Sequence, residues 1–116
     1  MSRAERRQNL RARFSVPIKY RLAGQFTALW LDGILTDLGA GGLRFTSHEP
    51  IESGTYLELG IALPQETYLL SAKAIWEKEV PAGLEHGAEF VNVTTDQQVK
   101  IDALVHFLSQ GTSSSQ

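Results

Sequence analysis

Phe14-Ser15-Val16-Pro17-Ile18-Lys19-Tyr20-Arg21-Leu22 is the stretch whose reading decides the fold. Apolar side chains stand at every second position (Phe14, Val16, Ile18, Tyr20, Leu22), with small, charged or proline residues between them. A period of two is the pattern of a strand with one buried face. Pro17 has no amide hydrogen to give to a ladder, so it marks an edge or a strand start. On the N-terminal side the pattern stops. Arg6-Arg7-Gln8-Asn9-Leu10-Arg11-Ala12-Arg13 has no sustained apolar period and reads as a basic arm, with room for a short helical turn around Arg3 to Leu10. Residues 1–21 hold seven of the eleven Lys and Arg against one acid, Glu5, a local charge of +6 that leaves −8 for the rest of the chain. Clustered guanidinium groups repel one another unless something negative sits among them, which points to an anionic partner. A solvated tail that keeps the chain soluble is the other reading of the same charges.

On the C-terminal side the alternation returns several times. Gly24-Gln25 reads as a turn, and Phe26 to Asp37 as a second strand with Leu29, Leu31, Ile34 and Leu35 facing inward. Asp32-Gly33 within it is either a hairpin turn or a bulge. Asp37-Leu38-Gly39-Ala40-Gly41-Gly42 then leads directly into Leu43-Arg44-Phe45-Thr46. Three glycines in four residues between two strands predict a tight turn of the kind glycine populates cheaply, with its backbone open to a ligand. Tyr56 to Leu63 alternates with Leu57, Leu59, Ile61 and Leu63 on one face. Thr67 to Lys78 places Leu70, Ala72, Ala74 and Trp76 together, and Leu84 to Val91 closes the series. From Thr94 the period lengthens: a capping threonine, Asp96 in the first turn, then Val99, Ile101, Leu104, Val105 and Leu108 at helical spacing. Six short strands and one amphipathic helix predict an all-β domain, a small antiparallel barrel whose closure removes its edges, with the helix over one opening.

A chain of 116 residues makes one domain with one core. The expected division is an arm over residues 1–13, the barrel and helix over 14–110, and a Ser-rich disordered tail over 111–116. The chain has no cysteine, which excludes disulfides, thiolate metal sites and cysteine nucleophiles. No apolar run is long enough for a membrane span and the first residues are polar, so a cytoplasmic protein with no membrane association is expected.

Catalysis finds little support in the residues. His48, His86 and His106 are scattered, none at metal-ligand spacing, and read as satisfied or solvent-facing histidines. Ser47 and His48 are adjacent on a strand and point to opposite faces, so they are no nucleophile–base pair. Glu77, Glu79, Glu85 and Glu89 read as a solvated face of two strands, with Glu89 half-covered. Trp30 and Trp76 read as core or barrel-rim residues. The glycine turn lacks the Lys-Ser/Thr ending and the following helix of a phosphate-binding loop. No enzyme, cofactor or metal is expected.

Arg6-Arg7-Gln8-Asn9-Leu10-Arg11 before the first strand, together with Asp37-Leu38-Gly39-Ala40-Gly41-Gly42-Leu43-Arg44-Phe45 two strands later, resembles the PilZ domain family. Val16-Pro17-Ile18-Lys19-Tyr20, Ala74-Ile75-Trp76 and Gly87-Ala88-Glu89-Phe90-Val91 extend the similarity over residues 6 to about 108. The resemblance implies a six-stranded antiparallel split-barrel with a C-terminal helix, and a bacterial cytoplasmic receptor for the second messenger cyclic di-GMP, of the kind that controls motility and biofilm formation. It implies that Arg7 and Arg11 are the main ligand pair, that Arg6 is a further contact, and that Asp37 accepts from a guanine N–H edge. Gly39 and Gly42 would then line the turn against the ligand. A guanidinium suits such a ligand because it pairs bidentately with phosphate or with guanine O6/N7 and also stacks on a base. The family turn usually carries Ser where this chain has Gly39, a loss of one hydroxyl worth roughly 1 kcal/mol. With no effector domain in the sequence, ordering of the arm would signal to an unidentified partner protein, the receptor being a monomer or weak dimer. The alternative is a motility- or pilus-related interaction module of the same fold that has lost nucleotide binding. A nucleic-acid-binding barrel is disfavoured by the body charge of −8 and the absence of a basic stripe.

Overall fold

The computed structural model describes residues 12–24, 29–64 and 66–113. Six strands and one helix follow in chain order. These are β1 (Ala12–Leu22), β2 (Leu31–Leu38), β3 (Gly42–Ser47), β4 (Tyr56–Ala62), β5 (Thr67–Val80), β6 (Gly83–Phe90) and α1 (Thr95–Ser113). All pairings are antiparallel, and the strands close in the order β1-β2-β3-β6-β5-β4, with β1 returning to β4. The expected six-stranded barrel with its C-terminal helix is therefore the observed architecture, and closure leaves no strand with an unpaired ladder.

The interior is filled by the period-two residues. Ile18 and Tyr20 of β1, Leu57, Leu59 and Ile61 of β4, and Leu70, Ala72 and Ala74 of β5 are buried together with Leu35, Leu38, Leu43 and Phe45. Ile51, from the β3–β4 connection, joins this core, and its amide donates to Glu77 Oε1 at 2.8 Å. The helix starts with a reciprocal cap: Gln97 N donates to Thr94 Oγ1 at 3.1 Å, and Thr94 N to Gln97 Oε1 at 3.2 Å. It seals the core with Ile101, Leu104 and Leu108. Val99 does not join them and is 62% exposed. Two residues from Ile101 it stands about 200° around the helix, on the opposite side. The helix also runs through Gly111 to Ser113, past the expected boundary at 110. A single glycine costs a helix only about 1 kcal/mol and does not end it by itself.

The second strand departs most from expectation. It begins at Leu31 and has no turn at Asp32-Gly33, where Gly33 pairs with Ile18 in mid-strand. A Cβ on Gly33 would stand 3.2 Å from Phe45 Cδ2, so this glycine lets the large Phe45 ring lie across the strand. Leu29 is 81% exposed, and Leu31 and Ile34 also face outward. Gly33 and Leu35 hold the inward parity, which sends Ile34 to the other face.

Candidate functional site

Residue parity alone would send Asp37 into the barrel beside Leu35. Between Leu35, paired with Phe45, and Asp37, paired with Arg44, the register shifts by one residue, Thr36. This bulge re-aims Asp37 to the outer face. There its Oδ2 takes Arg44 Nε at 3.1 Å, and Asp37 is 4% exposed while Arg44 remains part-exposed. Thr36 Oγ1 donates to the Arg44 carbonyl at 3.3 Å and pins the bulge to β3.

A second bulge does the same for Trp76. Ala74 pairs with Ala88 and Trp76 with Gly87, leaving Ile75 as the extra residue. Trp76 thus leaves the inward face expected from its parity with Leu70, Ala72 and Ala74 and is 39% exposed. Its ring lies over Gly87, where a Cβ would come within 2.2 Å of Trp76 Cε2. The registers join these residues into one row across five strands: Arg13 beside Asp37, Asp37 beside Arg44, Arg44 beside Gly87, Gly87 beside Trp76. An open trough of about 420 Å³ lies along the row, walled by Gly42, Arg44, Trp76, Lys78 and Glu89. Arg44 and Trp76 were not among the expected site residues. Arg44 could have been found, since it falls between inward Leu43 and Phe45; Trp76 depends on a bulge with no sequence signal.

The glycine turn is built differently from the expectation. Gly39 N donates to Gly42 O at 2.9 Å, and Phe90 N to Gly41 O at 3.0 Å. Gln98 Nε2 of α1 donates to Ala40 O at 3.3 Å, tying the helix to the turn. The left-handed glycines are Gly24, Gly54 and Gly83, not those of the turn. Gly42 is required for close approach: a Cβ there would sit 2.3 Å from the Ala88 carbonyl oxygen of β6. Asp37, Gly39 and Gly42 are thus brought together at one end of the β2–β3 hairpin. Arg6, Arg7 and Arg11 lie outside the described residues. Their attachment point does not: Ala12 pairs with Leu38 and Arg13 with Asp37, so the chain that precedes β1 joins the barrel beside the turn.

His86 is not solvent-facing. It is fully buried, its Nε2 is 2.8 Å from Ser47 Oγ, its Nδ1 is 3.5 Å from Glu77 Oε1, and its ring is 4.9 Å from that of Phe45. Burial pushes its pKa down, with the Glu77 carboxylate partly opposing. Tyr20 lies beside the same group; burial raises its pKa, with the Ser47 hydroxyl working the other way. Ser47 also exchanges bonds with the Glu49 amide and carbonyl, both at 3.2 Å, so its hydroxyl is enclosed rather than presented. The acids expected on a solvated face divide: Glu89 is exposed, Glu85 is half-buried near Lys78 Nζ at 3.7 Å, and Glu77 serves Ile51 and His86. Among the described residues no three His, Asp or Glu are grouped to hold a metal ion, and no helix is long and apolar enough to cross a membrane.

The PilZ domain family matches residues 5–107. The chain belongs to the PilZ domain family. Solved PilZ domains share the fold. The PilZ domain of CeSA from a cellulose-synthesizing bacterium superposes with a TM-score of 0.68 at 20% identity, covering 84% of this chain and 96% of that one. The PilZ domain of YcgR from Escherichia coli, solved with c-di-GMP, gives 0.73 at 14% identity, covering 90% and 92%. The Bacillus subtilis inhibitor of motility MotI (DgrA) gives 0.65 at 17%, covering 90% of this chain and 50% of that one. A comparison with curated protein sequences gives no match.

Proposed function

We propose that this PilZ domain is a cyclic di-GMP receptor, in which Arg6, Arg7 and Arg11 close over the turn from Asp37 to Gly42 with the dinucleotide between them. The observation that carries the reading is the pairing of Ala12 with Leu38 and Arg13 with Asp37. Arg11 is one residue, and Arg7 five residues, from a backbone already fixed beside Asp37. Five residues extend at most about 17 Å, so the turn is within reach of both guanidinium groups. Lys19 and Arg21 are paired with Asp32 and Glu58. A dianionic ligand supplies counter-charge for the arginines of the arm, and the Asp37 carboxylate supplies an acceptor for guanine N–H groups. The match to the family over residues 5–107 and the c-di-GMP in the YcgR domain support the choice of ligand.

In this reading, ligand ordering of the arm is the output, presented to a partner protein together with the adjacent barrel surface. The Gln98 bond to Ala40 offers a second route, from the turn into α1. Isothermal titration with cyclic di-GMP is the test. Binding is expected for the wild type, with losses of about 1.5–3 kcal/mol for Arg7→Ala and for Arg11→Ala, the worth of a charge-assisted bond. Absence of heat from the wild type at tens of micromolar ligand would refute the assignment.

A further inference from the structure

Asp37 and Arg44 form a closely paired acceptor and donor on the outer face, held by the Thr36 bulge beside an open trough. Arg44 uses only Nε on Asp37; its terminal nitrogens make no hydrogen bond or ion pair among the described residues. The four N–H donors of its terminal nitrogens are therefore available from a group whose position is already fixed. The trough beside it is bounded on the far side by the Trp76 ring over Gly87.

We infer that the Asp37–Arg44 pair is a guanine reader, with Arg44 a ligand-contacting and specificity-determining residue. The inference rests on the cyclic di-GMP reading above. Guanine presents two neighbouring donors, N1–H and N2–H, followed by two neighbouring acceptors, O6 and N7. A carboxylate next to a guanidinium is the complementary order: Asp37 accepts from the donors and Arg44 donates to the acceptors. Adenine reverses the order on its pairing edge, with an N1 acceptor and an N6–H₂ donor. At the same place it sets acceptor against carboxylate and donor against guanidinium. The mismatch leaves partly buried polar groups unpaired, which is the situation in which hydrogen bonding discriminates most strongly. Arg44 also holds Asp37 in place, so the two act as one unit.

The test compares cyclic di-GMP with cyclic di-AMP on the full chain by titration calorimetry, for the wild type, Arg44→Ala and Arg44→Lys, with thermal midpoints as a folding control. Arg44 is part-exposed, so both variants are expected to fold. Arg44→Ala should weaken cyclic di-GMP about 5- to 100-fold, the worth of one bidentate base contact, and leave cyclic di-AMP nearly unchanged. Arg44→Lys keeps a cation beside Asp37 but loses the planar fork, so it should resemble the alanine variant. Equal weakening of both nucleotides would mark Arg44 as a phosphate contact and overturn the guanine assignment. Full rescue by lysine would reduce Arg44 to a charge that positions Asp37, and would overturn it too. An unchanged ratio in Arg44→Ala overturns the inference while leaving the receptor reading intact. A wild type that binds neither nucleotide removes the receptor reading itself.

Discussion

Gly42→Ala separates strand packing from ligand binding at the turn. A Cβ at Gly42 would sit 2.3 Å from the Ala88 carbonyl oxygen and 3.1 Å from Glu89 Cα, both backbone atoms of β6. Contact at ordinary van der Waals distance needs a separation of about 3.4 Å, so β3 and β6 must part locally by about 1 Å. A shift of that size stretches ladder bonds around the Gly42–Glu89 pair beyond hydrogen-bonding distance, together with the Phe90 N to Gly41 O bond now at 3.0 Å. Two weakened bonds at about 1 kcal/mol each agree with the usual 1–3 kcal/mol cost of overpacking. A loss of about 2 kcal/mol lowers the melting temperature of a domain this size by about 8 °C. The measurement is thermal unfolding of the nucleotide-free protein, followed by circular dichroism. A variant that melts with the wild type yet loses nucleotide binding would refute the packing argument and make Gly42 a ligand floor alone.

Four further outcomes follow from the same geometry. His86 has a folded pKa below its unfolded value of about 6.5, so the unfolded chain takes up the proton first. Its contribution to stability is complete above pH 6.5 and is lost as pH falls through the folded value; urea unfolding between pH 7.5 and 5 should show this, and His86→Gln should flatten that part of the slope. Gly87→Ala drives a methyl into the Trp76 ring, which is a movable, part-exposed side chain. In a Trp30→Phe background the Trp76 emission should therefore shift, with a smaller stability loss than Gly42→Ala. Gly39→Ser restores the hydroxyl usual in the family at a position without left-handed φ, and should tighten cyclic di-GMP by about 1 kcal/mol, roughly fivefold, in titration. Thr94→Ala removes the acceptor for Gln97 N and should cost about 1 kcal/mol in urea unfolding.

The alternating runs at 14–22, 56–63 and 67–74 and the switch to helical spacing after Thr94 determined six strands, one helix and most of the core. These are local properties: a one-sided strand must alternate, and a covering helix must repeat about every 3.6 residues. The basic arm and the Asp37 turn were likewise legible as two halves of a motif. Their approach was not, because the pairing of Arg13 with Asp37 belongs to two strands and not to either. The same reason hid the bulges at Thr36 and Ile75. A bulge is a mismatch of count between partners, and here two of them move Asp37 and Trp76 from the inside of the barrel to its outer face. Burial of His86 against Ser47, 39 residues away, and the need for glycine at position 42 also arise only when β3 and β6 lie side by side. Local periodicity therefore determined which residues make strands, and barrel closure decided which of their side chains meet at the site.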